Sequence, residues 1–310
     1  MLRFLTQRLV GAVPVLLGVS IAVFLMVHLL PGDPATIMLQ GAPASAEDIA
    51  NLRHELGLDR PLHVQYVSYM ERVLQGDLGK SIHTRRPVIK EIFGVFPSTL
   101  RLAFAAMAVA LALGISMGIL AALRQNSWLD SFSMGTALFG VSMPDFWIGL
   151  LLILIFSVRL GWFPATGIGD WKHIVLPAVA LGANFAAIIA RLVRSSLLEV
   201  MRQDYVLSAR AKGLKQRTVI MRHALRNALI PVVTIVGLQF GNLLGGAVVI
   251  ETVFARQGFG RLAITAILAK DFPLIQGVVL FGAIIYVILN ILVDLSYAWL
   301  DPRIKYESLV

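Results

Sequence analysis

Six mostly apolar stretches alternate with polar segments along the 310-residue chain, near Leu9–Leu30, Thr99–Leu123, Phe132–Val158, Ile174–Val193, Ala228–Ile250 and Gly277–Trp299. A hydrocarbon core about 30 Å thick needs roughly 20 apolar residues per helix, so each stretch predicts one membrane crossing. Pro144 and Pro177 fall within or near the starts of two of them; membrane helices tolerate proline where neighbours re-satisfy the backbone. Six crossings make an all-α polytopic membrane protein with both termini on one side. The extended segment on the other side, Pro31–Pro97, joins a Pro31-Gly32-Asp33-Pro34 turn to amphipathic helical patterns over Ser45–Leu56 and Pro61–Leu74. Ser45 with Asp48 three residues on predicts a helix cap, and Val64, Val67 and Leu74 predict a small apolar face. This segment reads as an ordered cap on the bundle, too small to be a catalytic domain.

Composition agrees with the pattern. The chain is 57% hydrophobic and 15% charged, with a mean hydropathy of +0.79, whereas soluble proteins carry about a quarter charged residues. A net charge of +9 could suggest nucleic acid; at this hydropathy it points instead to cytoplasmic loops and anionic headgroups. Cysteine is absent, which excludes disulfides, thiolate metal sites and a Cys nucleophile.

Charge also orients the chain. With the N-terminus inside, 14 Lys and Arg fall on inner segments and 13 on outer ones. Eight of the 13 lie between Pro31 and Arg101, in a loop longer than about 60 residues where the positive-inside rule loses force, and eight acids cancel them. The remaining comparison, 14 against 13 − 8 = 5, places both termini in the cytoplasm. A cleaved signal peptide is the competing reading, with Ala42-Pro43-Ala44 or Ala44-Ser45-Ala46 as the site. The first apolar run is too long for it, and those sites lie too far beyond its end.

Candidate chemistry is sparse. Gly76-Asp77-Leu78-Gly79-Lys80-Ser81 ends like a phosphate-binding loop, but Leu74 stands where the first glycine of that motif belongs, so it reads as a structural turn. The six histidines are scattered and no G-x-S-x-G elbow occurs. Of the ionisable residues in or near helices, Asp130, Arg191, Arg194 and Asp294 lie near cytoplasmic ends, where headgroup contact or snorkelling explains them. Asp145, after Pro144, is deeper: it either lines a watery path where it meets a substrate amine, or points into a solvated cleft or at an arginine. Asn184, Gln239 and Asn242 are polar positions in helices, and Gln239 and Asn242 share a face. They line a pathway or pack helices, and Gly237, Gly241, Gly245 and Gly246 allow the close approach that packing needs.

The least membrane-like stretch is Asp204–Pro231, a basic, helix-forming segment between two apolar ones. Gly213 predicts a left-handed break between two short helices. Ala209 and Ala211 keep side chains small where a partner could approach. Beyond the break, Lys215, Arg222 and Arg226 form a basic stripe beside an apolar one of Ile220, Ala224 and Ala228.

These residues resemble the cytoplasmic coupling loop of ABC-importer permeases, most closely the dipeptide, oligopeptide, glutathione and nickel branch. Further stretches agree in order and spacing: His28–Pro34, Leu56–Leu62, Gly76–Ser81 with Arg86-Pro87-Val88, Glu251–Phe254 with Gly258–Leu262, and Leu300–Tyr306. The cap motifs are most similar to the glutathione type. Leu207-Ser208-Ala209 stands where the general motif has Glu-Ala-Ala, and Gly213 lies farther from Pro231 than the general pattern has it. The resemblance implies a type I ABC-importer permease fold, a single membrane domain over 1–310 with a periplasmic cap loop at 31–97 and a cytoplasmic coupling loop at 195–228. It implies an inner-membrane subunit with no catalytic residues, metal or cofactor of its own, and no nucleic-acid partner. ATP and magnesium would belong to two cytoplasmic ABC ATPases, and a second homologous permease and a periplasmic substrate-binding protein would complete the system. Asp204, Tyr205, Ser208, Ala209, Ala211, Lys212, Gly213 and Leu214 would couple to an ATPase, and Asp145, Asn184, Gln239 and Asn242 would line the pathway. A self-sufficient secondary transporter, a membrane-anchored scaffold, and nickel as cargo are the alternatives.

Overall fold

The computed structural model describes residues 2–29, 35–36, 39, 45–55 and 57–300. The Pro31–Pro34 turn, the Ala42-Pro43-Ala44 site, Leu56 and the motif from Asp301 onward lie outside these residues. The helices are α1 (Leu2–Leu29), α2 (Ala46–Glu55), α3 (Leu62–Leu74), α4 (Val88–Leu123), α5 (Trp128–Ser142), α6 (Asp145–Leu152, continued by a π turn at Ile153–Arg159) and α7 (Lys172–Val200). After these come α8 (Asp204–Ala211), α9 (Gln216–Ala228, π-wound over Val219–Ala224), α10 (Ile230–Val253), α11 (Phe259–Leu268) and α12 (Phe272–Leu300). Among the described residues no strand forms, only an isolated bridge between Lys80 and Pro87. Helices α1, α4, α7 and α12 are each long and apolar enough to cross a membrane, and the bent pairs α5–α6 and α9–α10 bring the number of spans to as many as six.

The third apolar stretch is not one helix. Helices α5 and α6 meet at 107°, with Met143 at φ −92, ψ 135 and Pro144 at φ −62, ψ 138. A residue before proline is pushed out of the helical region and proline has no N–H to give, so Pro144 ends one helix and starts the next. Pro177 behaves as the sequence suggests, inside a continuous α7. Helix α4 begins at Val88, eleven residues before the apolar stretch, and carries Pro97 within it. At 36 residues it is about 54 Å long, well beyond the hydrocarbon thickness.

Two compact units divide the chain. In the first, made of the stretch up to Pro97 with Arg261–Ala298, α3 packs through aromatic residues. Phe24 lies 5.4 Å from Tyr66 and 6.0 Å from Tyr69 between ring centroids, with Leu280 buried beside them. The expected face of Val64, Val67 and Leu74 is therefore misplaced: Val67 and Leu74 are exposed, and Tyr66, Tyr69, Met70 and Val73 form the inner stripe. The aromatics bury more area, and the Tyr66 hydroxyl finds a partner, 2.8 Å from Ser20 Oγ, while that of Tyr69 is buried without one among the described residues. Burial raises the Tyr69 phenol to a pKa of about 12. The Ser45–Asp48 cap forms as expected: Asp48 Oδ2 accepts from the Ser45 backbone N–H at 2.8 Å and from its hydroxyl at 2.7 Å. These bonds hold the exposed Asp48 carboxyl below its ordinary value.

The loop that resembles a phosphate cradle proves to be a fastening. Ser81 Oγ donates to Asp271 Oδ2 at 2.5 Å, and the Ile82 and Leu274 N–H groups donate to the same carboxylate. Gly79, at φ +81, seats against Pro273. Both carboxylate and hydroxyl are buried, so nothing remains for a phosphate.

In the second unit, centred on Ser98–Gly260, the core joins Leu102, Ala106, Leu181, Leu243, Ile250 and Phe254. Its closest crossing is between α4 and α7. A Cβ at Gly114 would lie 2.6 Å from the Ala186 carbonyl oxygen, one at Gly118 2.6 Å from that of Ala190, and one at Gly182 2.6 Å from that of Ala106. A small-x-x-x-small contact is made by α4, as Gly114-x-x-x-Gly118, while Gly245 on α10 faces open space. Gly118→Ala is expected to cost about 1–3 kcal/mol by forcing the helices apart, read as a lower Tm in detergent. Gly245→Ala is expected to leave Tm unchanged.

Candidate functional site

Three polar regions of the second unit carry the residues that sequence reasoning singled out. The first is the basic insert. Gln203, extended at φ −73, ψ 145, starts α8, and Gly213 at φ +75 ends the turn that follows it. That conformation favours glycine, and nothing lies within 4 Å of where a Cβ would sit, so the requirement is backbone geometry alone. Val206 and Ala209 are buried against Leu197, Val219, Ala224 and Ala228, which anchors α8 to its own chain. Ala209 therefore faces inward. Asp204, Tyr205, Ser208, Ala211, Lys212, Gly213 and Leu214 are exposed, as is Leu207, which the sequence names only as a departure from the general motif. Tyr205, Leu207 and Leu214 put apolar surface on a short polar helix, and that mismatch is the signal that could have found Leu207.

Helix α9 carries Ile220, Ala224 and Ala228 on its buried side, as the apolar stripe predicts. It bends by 47° into α10. Asn227 Nδ2 donates to Tyr205 OH at 2.7 Å. Around this bond lies an open cleft of about 610 Å³, lined by Tyr205, Arg222, His223, Arg226, Asn227, Leu229, Ile230 and Val233. Lys215 is not among its lining residues.

The second region surrounds the α5–α6 break. Asn184 Nδ2, on α7, donates to Asp145 Oδ1 at 2.5 Å and reaches the Met143 carbonyl at 3.4 Å. Asp145 is therefore held by an amide rather than by an arginine. Asn242 Nδ2 donates to Gln239 Oε1 at 2.8 Å on α10. Among the described residues no hydrogen bond joins these two pairs. At the other end of α5, Asp130 corrects the headgroup reading: it is buried, and Arg194 binds it bidentately, Nε to Oδ1 at 2.6 Å and Nη2 to Oδ2 at 2.7 Å. The Asn126 N–H adds a third bond at 3.0 Å. In the first unit Asp294 likewise pairs with Arg8 at 3.0 Å. In an apolar solvent a carboxylate near a facing helix is better satisfied by a guanidinium than by reaching for water.

The third region is the turn after α10. Glu251 is fully buried; it accepts from the Thr99 hydroxyl and, at 2.9 Å, from the Gly260 N–H. A side chain at Gly258 would overlap its carboxylate. Arg256 is buried too, and Nη1 donates to the His173 carbonyl at 3.0 Å. That carbonyl is the one Pro177 leaves free, four residues on and without an N–H. Burial pulls the Arg256 guanidinium below its usual pKa, and the Glu251 carboxylate partly restores it. Sequence reasoning counted Arg256 only as a loop charge; the signal was the proline at 177.

Among the described residues no group of three His, Asp or Glu could hold a metal ion. Apolar spans, ion-paired charges within them and one basic insert between two spans describe a multi-pass membrane protein. Residues 114–306 match the family described as binding-protein-dependent transport system inner membrane component, and residues 1–103 match its N-terminal membrane component. The chain belongs to this family, and is a multi-pass protein of the bacterial inner membrane. It is 47% identical over 307 residues to the glutathione transport system permease protein GsiC of Salmonella paratyphi A, covering 99% of this chain and 100% of that one. For the GsiC of Escherichia coli K12 the identity is 45% over the same shares. Among solved structures, the inward-facing MetNI methionine ABC transporter matches with a TM-score of 0.55 at 19% identity, over 66% of this chain and 93% of that one. An amino acid ABC transporter crystallised with histidines matches at 0.52 and 15%, over 67% and 92%. These structures bear on the fold alone.

The Glu251 arrangement has a direct test. Gly258→Ala is expected to push the carboxylate off the Gly260 N–H, costing about 1–3 kcal/mol. The turn over residues 254–260 should then be cut faster by protease than in the parent chain.

Proposed function

We propose that the chain is the membrane-spanning permease subunit of an ATP-driven ABC importer that carries small peptides, with glutathione the foremost candidate, into the cytoplasm. The observation that carries this reading is full-length similarity: 47% identity across 99% of this chain to a glutathione permease. The chain itself is non-catalytic and binds no cofactor. It works with a second homologous permease, two cytoplasmic ABC ATPases holding ATP and magnesium, and a periplasmic substrate-binding protein. Both termini are cytoplasmic, by the 14-to-5 charge asymmetry.

The coupling element is α8 with its Gly213 turn, inside the 195–228 loop. Tyr205, Leu207 and Leu214 give it an exposed apolar surface that an ATPase groove would cover. Asp204, Ser208, Ala211, Lys212 and Gly213 surround them, and Ala209 acts from beneath by packing α8 on Leu197 and Val219. Motion of the ATPases reaches the membrane because α8 is fastened to α7 and α9, giving rigid-body rocking and alternating access. The 31–97 loop and the Glu251–Lys270 segment face the binding protein.

Asp145, Asn184, Gln239 and Asn242 serve the pathway. Asp145 stands at a helix break within a membrane span, where an anion costs several kcal/mol unless a cavity or cation meets it. The Asn184 amide satisfies one oxygen, leaving the rest of the carboxylate for the ammonium of a peptide.

Gly213→Val strains a left-handed position by about 1–2 kcal/mol. In proteoliposomes holding the complete importer, labelled glutathione uptake is expected to fall about tenfold or more while ATP hydrolysis and subunit assembly persist. Unchanged uptake sinks the coupling role. Uptake of dipeptides in preference to glutathione would reassign the cargo within the peptide class.

A further inference from the structure

Apart from Tyr205, the residues lining the cleft at the α9–α10 bend have no part in the coupling surface of α8. Its lining is divided: Arg222, His223, Arg226 and Asn227 belong to the basic insert, while Leu229, Ile230 and Val233 begin the apolar α10. Arg222 and Arg226 stand one helical turn apart and are exposed. Between Met201 and Val233 there are seven Lys and Arg (Arg202, Arg210, Lys212, Lys215, Arg217, Arg222, Arg226) and one acid, Asp204, a net of 7 − 1 = +6. Neither Arg222 nor Arg226 has an ion-pair partner among the described residues, whereas the intramembrane Arg194 and the buried Arg256 are both engaged. The Asn227 amide is turned toward Tyr205, which closes one side of the cleft with an aromatic ring and a hydroxyl.

We infer that this cleft binds the head group of an anionic phospholipid from the cytoplasmic leaflet, with Arg222 and Arg226 on the phosphate. The first segment of its acyl chain lies along Leu229, Ile230 and Val233. The position of the lining along the chain favours a lipid over a soluble anion. The charged residues precede the 47° bend and the apolar ones follow it, so the cleft spans the level where a helix passes from water into hydrocarbon. A free phosphate would leave the apolar half of a 610 Å³ cleft unfilled. Basic pockets at this level attract anionic lipid with a fewfold gain per cation. Such a lipid would brace the bend between the coupling segment and α10, so its occupancy sets how firmly α8 is tied to the membrane helices. The inference does not depend on the solute carried; it takes from the proposed function only the side of the membrane.

The test uses the complete importer in nanodiscs. Native mass spectrometry counts retained phosphatidylglycerol for the parent, for R222Q/R226Q, and for R217Q, whose arginine lies in the same insert but outside the cleft. Retention is expected to weaken roughly fivefold for each cleft arginine removed, about thirtyfold for both, and to be unaffected by R217Q. After delipidation, phosphatidylglycerol in a phosphatidylcholine background is expected to raise Tm in the parent but not in the double variant. Equal retention by parent and double variant overturns the proposal. Recovery of Tm with inorganic phosphate alone overturns the lipid assignment in favour of a soluble anion. Absence of glutathione and dipeptide uptake by the parent importer, with lipid retention intact, would count against the transport reading and leave this one standing.

Discussion

The backbone-to-backbone crossing of α4 and α7 is the constraint around which the second unit is organised. Glycines at 114, 118 and 182 let carbonyl oxygens of one helix occupy the space a side chain would need on the other. Lipid tails are as apolar as leucine, so helices in a bilayer gain little from hiding apolar surface and depend on such close fits. With α4 fixed against it, α7 becomes the most buried of the spans. It then carries the partners that other elements need: the His173 carbonyl for Arg256, Asn184 for Asp145, Arg194 for Asp130, and Leu197 for the base of α8.

A second theme is the replacement of hydrogen bonds that proline removes. Pro144 and Pro177 have opposite outcomes although both sit in apolar stretches. At 144 the preceding residue goes extended and the chain turns, leaving a carboxylate at the start of the new helix with an amide to meet it. At 177 the helix continues, because a guanidinium from a buried turn supplies the missing donor. In water either gap could be filled by solvent; within a bilayer the chain must fill it.

These contrasts mark how much the sequence could reveal. Hydropathy located the spans, and local residue chemistry the Ser45–Asp48 cap and the Gly213 break, because each depends on residues close along the chain. The apolar stripe of Ile220, Ala224 and Ala228 survived the π turn within α9. What failed depended on partners far apart in sequence. The inner face of α3 turned to its aromatics because Phe24 and Leu280 lie there. Asp130 belongs to an arginine 64 residues away. Gly76–Ser81 is the structural turn its sequence suggests, but its fastening to Asp271, 190 residues from Ser81, could not be read from neighbouring residues. Of the residues assigned to coupling, all but Ala209 are at the surface, while the pathway set resolves into two separate pairs.

Helix α7 also has a mechanical meaning. It is a rod of 29 residues, about 44 Å long, gripped near its first turn by Arg256 and near its last by the packing of Leu197 on α8. A rod held at both extremities transmits tilt as a lever does, with no chain of intermediate side-chain rearrangements. The amide of Asn184 lies partway along it, between the two grips. Any swing of either end therefore moves the donor that restrains Asp145, and the hold on that carboxylate becomes a measure of the tilt of α7.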